Sequence, residues 1–131
     1  MIKQKFDYES LKKESVDGKR LYACPDGNNV ASVTTILSKT KDQTALNEWR
    51  KRVGEQKANE ITTEAASVGT RMHKFLEDYI DTGSWPDAGS NPFSQQANDM
   101  AKVIREEALS FVSEIWGSEV SLYHPKIYAG T

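Results

Sequence analysis

The longest periodic pattern in the chain is an apolar stripe between about Glu55 and Ile80. Apolar side chains recur there every three or four residues, a spacing typical of one face of an α-helix. The run Asp81–Ser84, which contains Gly83, marks the end of the pattern. The sequence therefore predicts a helix from about residue 55 to residue 80. The stripe consists of Ile61, Ala65, Val68, Met72, Phe75, Leu76 and Tyr79.

A second stripe of the same period follows Asn91 and Pro92. Asparagine is a good helix N-cap, and proline fits the first turn, where no N–H donor is needed. Gly117 suits a left-handed helix stop. We expect a second long helix that buries the first stripe against its own. Its apolar residues are Ala97, Met100, Ala101, Ile104, Ala108, Phe111, Val112 and Ile115.

Shorter patterns precede the long helices. The segment Lys19–Ser32 predicts a β-hairpin, with the turn at Pro25–Asn28. Ser32 is suited to cap a short helix over Val33–Ser38. Another short helix ends or kinks at Gly54, and its apolar residues are Leu46, Trp49 and Val53.

The two ends of the chain carry weaker patterns. Residues 1–18 predict an extended lead-in or a short helix. Polar and apolar residues alternate from Glu119 to Tyr123, and Lys126–Thr131 begins another strand after a turn at His124-Pro125. We expect this last strand to be an open sheet edge in a fragment of a longer protein. A homodimer or a strand-swapped assembly would then cover that edge.

These elements together predict an α+β fold that is mostly helical, with an N-terminal hairpin and a C-terminal pair of strands. Residues 1–54 would form the lead-in, hairpin and short helices. Residues 55–131 would hold the two long helices and the last strands. The length of 131 residues suits one ordinary domain or most of one.

Composition restricts the classes of function. The single cysteine, Cys24, excludes an intrachain disulfide and a cysteine-based zinc site, and it suits a reducing compartment. The chain has no run of 18 apolar residues and no secretory signal pattern. We therefore expect a cytoplasmic protein without membrane contact.

The charges are unevenly distributed. Residues 39–74 hold 8 basic and 5 acidic side chains, whereas residues 75–131 hold 3 basic and 9 acidic ones. A basic middle beside an acidic end fits a nuclease with a metal site. Solvated helix faces explain the same pattern, and the net charge of −2 gives no general sign of nucleic-acid binding.

The candidate chemistry centres on the first long helix. His73 and Glu77 lie four residues apart and share a helix face, with Gly69 one turn earlier. A glycine inside a helix costs about 1 kcal/mol relative to alanine, so a close approach by a backbone or a ligand would explain it. A surface His–Glu pair beside a helix-packing glycine is the alternative.

Glu119 is the second candidate, on the polar face of the first C-terminal strand. One histidine with one or two carboxylates can hold a hard divalent cation, and Mn²⁺ tolerates histidine better than Mg²⁺ does. An exposed edge-strand carboxylate is the alternative for Glu119. His124, in a turn before proline, is interpreted as an exposed turn residue.

These residues carry a family resemblance. Gly69, His73 and Glu77 form a Gly-x-x-x-His-x-x-x-Glu helix that resembles RecB-like nucleases of the PD-(D/E)xK superfamily. Four other motifs accompany this helix in order along the chain: Ser32-Val33-Thr34-Thr35, Leu46-x-x-Trp49, Glu119 and Ala129-Gly130-Thr131. The whole ordered set is similar to that of the mitochondrial genome maintenance exonuclease family and its phage relatives.

The resemblance implies a partial restriction-endonuclease-like core in residues 55–131 and a Mg²⁺- or Mn²⁺-dependent DNA exonuclease of phage or bacterial type. His73 and Glu119 would be metal ligands, and Gly69 and Glu77 would support them. The family's core aspartate, acidic-x-Lys triplet and Gln/Tyr helix are not in this chain. The chain alone is therefore expected to be inactive, with weak or no metal binding.

The resemblance also implies contacts between basic side chains and the DNA backbone. The alternative function is a non-catalytic helical interaction or DNA-binding module. The candidate phosphate contacts are Arg50, Lys51, Arg52, Lys57, Arg71 and Lys74.

Overall fold

The computed structural model describes Phe6 and residues 8–130. In chain order the elements are β1 (Lys12–Val16), β2 (Lys19–Ala23), β3 (Asn29–Ser32), α1 (Val33–Thr40), α2 (Thr44–Val53), α3 (Glu55–Thr82), α4 (Pro92–Glu107), a 3-10 turn (Leu109–Phe111), β4 (Leu122–His124) and β5 (Tyr128–Gly130). The α+β class predicted from the sequence is confirmed.

The contacts divide the chain into two units, at places other than the predicted boundary after residue 54. A helical unit contains Phe6 and residues 44–118, and therefore α2, α3 and α4. A sheet unit contains residues 8–43 and 119–130, with all five strands and α1. The segment after residue 118 thus belongs with the N-terminal hairpins rather than with the long helices.

The sheet unit has the strand order β1-β2-β3-β5-β4. The predicted hairpin is confirmed as β2 and β3, which pair antiparallel with Tyr22 opposite Val30. These two residues and Cys24 form a small buried core, and Leu11 packs against it. The unit therefore has a hydrophobic core of its own, apart from that of the helices.

Strand β1 is the main element that the sequence patterns did not predict. It forms a second hairpin with β2, and the two-residue loop is Asp17-Gly18. Both loop residues have positive φ, 52° and 71°. Positive φ at both positions is the requirement of a type I′ turn, which Asp-Gly favours. The Asp-Gly pair was thus a hairpin signal, although all five β1 residues are exposed and give no apolar alternation.

Ser32 links the sheet to α1. Its hydroxyl accepts a hydrogen bond from the amide of Thr35 at 3.1 Å, so the predicted N-cap is confirmed. The same hydroxyl lies 2.8 Å from that of Thr35 and 3.1 Å from that of Thr34. Ser32 is only 3% exposed, and this network satisfies a buried hydroxyl at the helix start.

Replacing Ser32 by alanine is expected to lower the free energy of unfolding of the sheet unit by about 1 kcal/mol, the usual cost of losing a helix N-cap. Chemical denaturation followed by circular dichroism measures the loss. Ser38→Ala removes an exposed hydroxyl near the end of the same helix and serves as the matched control. Equal losses from both substitutions would contradict the capping role.

The helical unit is held together by α3 and α4. Ala97 and Ala101 of α4 are fully buried one turn apart, and they let α4 approach Val68 and Phe75 closely. Met72, Leu76, Trp85 and Ala88 pack around these four residues. The predicted pairing of the two apolar stripes is therefore confirmed for the middle of the first stripe and for the start of the second, at Ala97 and Ala101. Ile61 lies outside it, with 40% exposure, so its predicted burial is wrong.

Trp85 fixes the loop between the two long helices. Its ring stacks on Phe75 with centroids 6.2 Å apart, and its indole N–H donates to the Asn98 side-chain oxygen at 2.7 Å. The Arg105 guanidinium lies 4.8 Å from the Trp85 ring centroid. One aromatic side chain thus joins α3, the loop and α4.

Most predicted helix ends agree with the structure. Helix α3 ends at Gly83, whose φ is 73°, and Asn91 caps α4 with Pro92 in the first turn. The extension of α4 to Ile115 is wrong, and so is the stop at Gly117, because the helix ends at Glu107. The hydroxyl of Ser110 binds the Glu106 carbonyl at 2.6 Å and competes with the helical amide there.

The C-terminal strands are shorter than predicted. They cover Leu122–His124 and Tyr128–Gly130 and pair antiparallel. The predicted open edge along Lys126–Thr131 is wrong for the described residues, because β5 lies between β4 and β3 and runs parallel to β3. Within this part of the chain, the sheet edges are β1 and β4.

Candidate functional site

Helix α3 carries the candidate chemistry in its second half. Gly69, His73 and Glu77 follow one another at intervals of four residues in an uninterrupted helix, so they share a face as the sequence predicted. The His73 side chain is exposed, and that of Glu77 is about one-third exposed. The helix core position beside them is Phe75, which faces α4.

Glu77 is engaged by its own helix. The Lys74 ammonium lies 3.3 Å from a Glu77 carboxylate oxygen and 2.9 Å from a carboxylate oxygen of Asp78. Hydrogen bonds to Asp78 and then to Glu77 raise the pKa of Lys74. Glu77 is therefore part of a surface ion-pair group with Lys74 and Asp78.

Gly69 is not explained by packing within the helical unit. A methyl group built on its Cα would have no heavy atom of another described residue within 4 Å, when the two chain neighbours and the backbone of the same helix are left out. The residue lies in a groove of about 410 Å³ between α3 and α4. Ile61, Glu64, Ala65, Val68, Gln96 and Met100 complete the lining. Space therefore remains above Gly69 for another backbone or a ligand.

Glu119 is not on a strand, which corrects the prediction for it. It lies in a bend before β4, in the sheet unit, and its φ of 50° is unusual for a residue other than glycine. The alternation predicted from residue 119 begins only at Leu122. His73 belongs to the helical unit, so the two predicted metal ligands lie in different units.

The described residues contain no group of three His, Cys, Asp or Glu side chains placed to hold a metal ion. Within this part of the chain, the predicted ligands do not amount to a complete Mg²⁺ or Mn²⁺ site. His73 with Glu77 on one helix face supplies one imidazole and one carboxylate. Mg²⁺ bound by one or two protein carboxylates keeps several waters, so water, phosphate or further acidic side chains would fill the other coordination positions.

The six predicted DNA contacts fall into two groups. Arg50 donates to the Glu55 carboxylate and to the side-chain oxygen of Asn59, which joins α2 to α3 across Gly54. The hydrogen bond between Arg50 and Glu55 raises the pKa of Arg50 and lowers the pKa of Glu55. Lys57 likewise lies 3.4 Å from Glu60. Together with Lys74, these cations already have acidic partners.

The other three, Lys51, Arg52 and Arg71, are exposed and form no ion pair with another described residue. Arg71 and Lys74 line a cleft of about 230 Å³ that also contains Asp78 and Asp87. Two positive and two negative charges balance there. This cleft therefore offers no excess positive charge to a phosphate.

The structure also places four basic residues that the sequence patterns did not single out. Lys12, Lys13, Lys19 and Arg20 are exposed on the β1–β2 hairpin, and none forms an ion pair with another described residue. The Asp17-Gly18 turn between two basic pairs was the available signal. The sequence predicted no strand before Lys19, and the two pairs therefore did not appear as neighbours.

The remaining reactive side chains have ordinary structural roles. Cys24 is buried in the small core of the sheet unit, and burial, followed by the charge of Asp26, raises the pKa of its thiol. His124 lies at the end of β4, where its Nδ1 accepts a hydrogen bond from the Lys126 amide at 3.3 Å. This contact fits the predicted turn residue.

Protein-family models, curated proteins and solved structures give no match to this chain. Among the described residues, no helix combines the length and the apolar character that crossing a membrane requires.

Proposed function

We propose that this chain supplies the histidine-bearing helix of a metal-dependent DNA exonuclease, of the RecB-like type within the PD-(D/E)xK superfamily. The observation that carries the proposal is the second half of α3. There Gly69, His73 and Glu77 stand one turn apart on one unbroken helix, with an exposed imidazole and open space above the glycine.

His73 is the residue that would contact the metal ion. An imidazole nitrogen favours Mn²⁺ over Mg²⁺, whereas both ions take carboxylate oxygens. When bound, such an ion activates water and neutralises charge at the phosphate. The described residues do not form that ligand set by themselves, so the proposal requires acidic ligands and a lysine beyond them.

DNA would be held by cations that lack acidic partners in the described part of the chain. Lys51 and Arg52 lie in the last turn of α2, whereas Arg71 on α3 is a weaker candidate because Asp78 and Asp87 share its cleft. Contacts from such residues to phosphates are independent of base sequence and sensitive to salt. The ion-paired residues Arg50, Lys57 and Lys74 are weaker candidates than the sequence suggested.

The proposed reaction belongs to DNA replication, repair or recombination in the cytoplasm of a bacterium or a phage-infected cell. The test is hydrolysis of end-labelled linear DNA by the product of the complete reading frame, with Mg²⁺ or Mn²⁺ and with EDTA. We expect metal-dependent hydrolysis by that product and none by the 131 residues alone. Hydrolysis by the 131-residue chain would contradict the requirement for further metal ligands beyond the described residues. No hydrolysis by either protein would contradict the nuclease proposal.

A non-catalytic interaction module is the second candidate, and one observation favours it. Helix α4 exposes Phe93, Met100 and Val103, with exposed fractions of 46%, 45% and 52%. Large apolar side chains on one exposed helix are typical of surfaces that bind other proteins. This candidate predicts that the complete product binds a partner through α4 and hydrolyses no DNA with either metal.

A further inference from the structure

The β1–β2 hairpin is the most basic exposed segment of the sheet unit. Its residues 12–23 carry four cations and two carboxylates. Every residue of β1 is exposed, and β1 is an edge strand of the described sheet. The hairpin therefore has a net positive charge, and in the described sheet it pairs with the other strands through β2.

The pairing register places two of the cations close together. Lys13 pairs with Tyr22, and Ser15 pairs with Arg20. Residues directly opposite each other point to the same face, so Lys13 and Arg20 are diagonal neighbours, about 7–8 Å apart in an antiparallel pair. Ser15 lies between them on that face. Lys12 and Lys19 occupy the opposite face by the same alternation.

A cleft of about 330 Å³ opens on this hairpin. It is lined by Lys13, Glu14, Ser15, Gly18 and Arg20. A methyl group added to Gly18 would meet no described heavy atom within 4 Å, so the tip of the hairpin is open. The cleft thus offers two cations without ion-pair partners among the described residues, one hydroxyl donor and an accessible backbone, against the single carboxylate of Glu14.

We infer that the β1–β2 hairpin binds the phosphate backbone of DNA, with Lys13 and Arg20 as the contacting cations. Cations on both faces of the ribbon fit an extended polyanion better than one small anion, which would reach a single face. The β2–β3 pairing covers only Leu21–Ala23, so the end of the hairpin up to Arg20 is two-stranded, and a two-stranded ribbon has the dimensions to enter the major groove of a duplex. The inference rests on the proposed function for the choice of DNA as the polyanion.

Lysines on an edge strand have another established use, because they oppose edge-to-edge aggregation. That explanation predicts that removing them increases aggregation and leaves DNA binding unchanged. Phosphate binding predicts a change in the salt dependence of DNA affinity. The two explanations therefore differ in a measurable quantity.

The experiment measures fluorescence anisotropy of a labelled duplex, and of one of its strands, over a series of salt concentrations in EDTA. The proteins are the 131-residue chain, Lys13→Ala/Arg20→Ala, and Lys39→Ala/Lys41→Ala. The last variant removes two exposed cations at the end of α1, in the same unit, and is matched in charge. A third variant, Lys13→Arg/Arg20→Lys, keeps both charges.

We expect the hairpin variant to reduce the slope of log K against log salt by about 1.8 on the duplex, since each phosphate contact contributes about 0.9. The α1 variant should keep the original slope, and the charge-keeping variant should restore most of it. Equal slopes for the hairpin and α1 variants, or no DNA binding by the unmodified chain, would overturn the inference.

EDTA separates this result from the nuclease proposal, because binding is measured where hydrolysis cannot occur. If the salt slope of DNA binding depends on the hairpin cations but the complete product hydrolyses no DNA, the exonuclease proposal is refuted and DNA binding by the hairpin is supported. If hydrolysis depends on His73 but the hairpin variant keeps the original slope, only DNA binding by the hairpin is refuted.

Discussion

Replacing His73 by alanine is expected to lower metal-dependent DNA hydrolysis by the complete product roughly 100-fold. Loss of an imidazole ligand weakens metal binding, and each 1.4 kcal/mol lost in the transition state costs about tenfold in rate. Initial rates at several Mn²⁺ concentrations measure the effect. Because the defect lies in metal affinity, excess Mn²⁺ should recover part of the lost rate.

The chain offers a matched control in its second histidine. His124 lies at the end of β4, and its imidazole accepts a backbone hydrogen bond. His124→Ala should therefore leave the rate within about twofold, because no transition-state contact is lost. Similar losses from both substitutions, or a His73→Ala rate that does not depend on Mn²⁺, would contradict the role of His73.

Replacing Phe75 by alanine is expected to lower the free energy of unfolding of the helical unit by about 3–5 kcal/mol. Phe75 is 8% exposed, faces Ala97 and Ala101, and stacks on Trp85. Its removal would leave a cavity between α3 and α4 and release the loop that Trp85 fixes. Urea unfolding, followed by tryptophan fluorescence and circular dichroism, measures the loss.

Phe93→Ala makes the same chemical change at an exposed position. The Phe93 side chain is 46% exposed in the first turn of α4, so its removal should cost less than about 1 kcal/mol. The difference between the two variants isolates burial from helix propensity. Equal losses would show that the interface between α3 and α4 does not hold the helical unit together.

The helices were predictable because their signals are local. The stripe in α3, the cap at Ser32, the Asn91-Pro92 start and the stop at Gly83 each depend on neighbouring residues alone. Capping and period describe interactions within one or two turns, which a single sequence displays directly.

The sequence-based predictions that were wrong or missing depend on contacts between segments that are distant in the chain. The sequence could not show that β5 runs parallel beside β3, because that neighbour lies about a hundred residues earlier. The exposed strand β1 had no alternation of apolar side chains to reveal it, and only the Asp17-Gly18 turn marked its hairpin. Ile61 matched the helical stripe, yet its side chain lies outside the α3–α4 core.

The candidate site was predictable to a similar extent. Residue spacing correctly placed Gly69, His73 and Glu77 on one face of α3, since that is a property of any helix. It could not show that Lys74 binds Glu77 and Asp78, because side-chain geometry chooses among several acids within reach. The bend at Glu119 likewise depends on how the chain enters the sheet unit.

The role of His73 is tested most directly by an Mn²⁺ titration of the 131-residue chain, observed through the NMR signals of its two histidine side chains. We predict that paramagnetic Mn²⁺ broadens the His73 signals at lower concentrations than those of His124, even when the ion is weakly held. Equal broadening of both histidines, or earlier broadening of His124, would contradict the claim that α3 contributes His73 to a metal site.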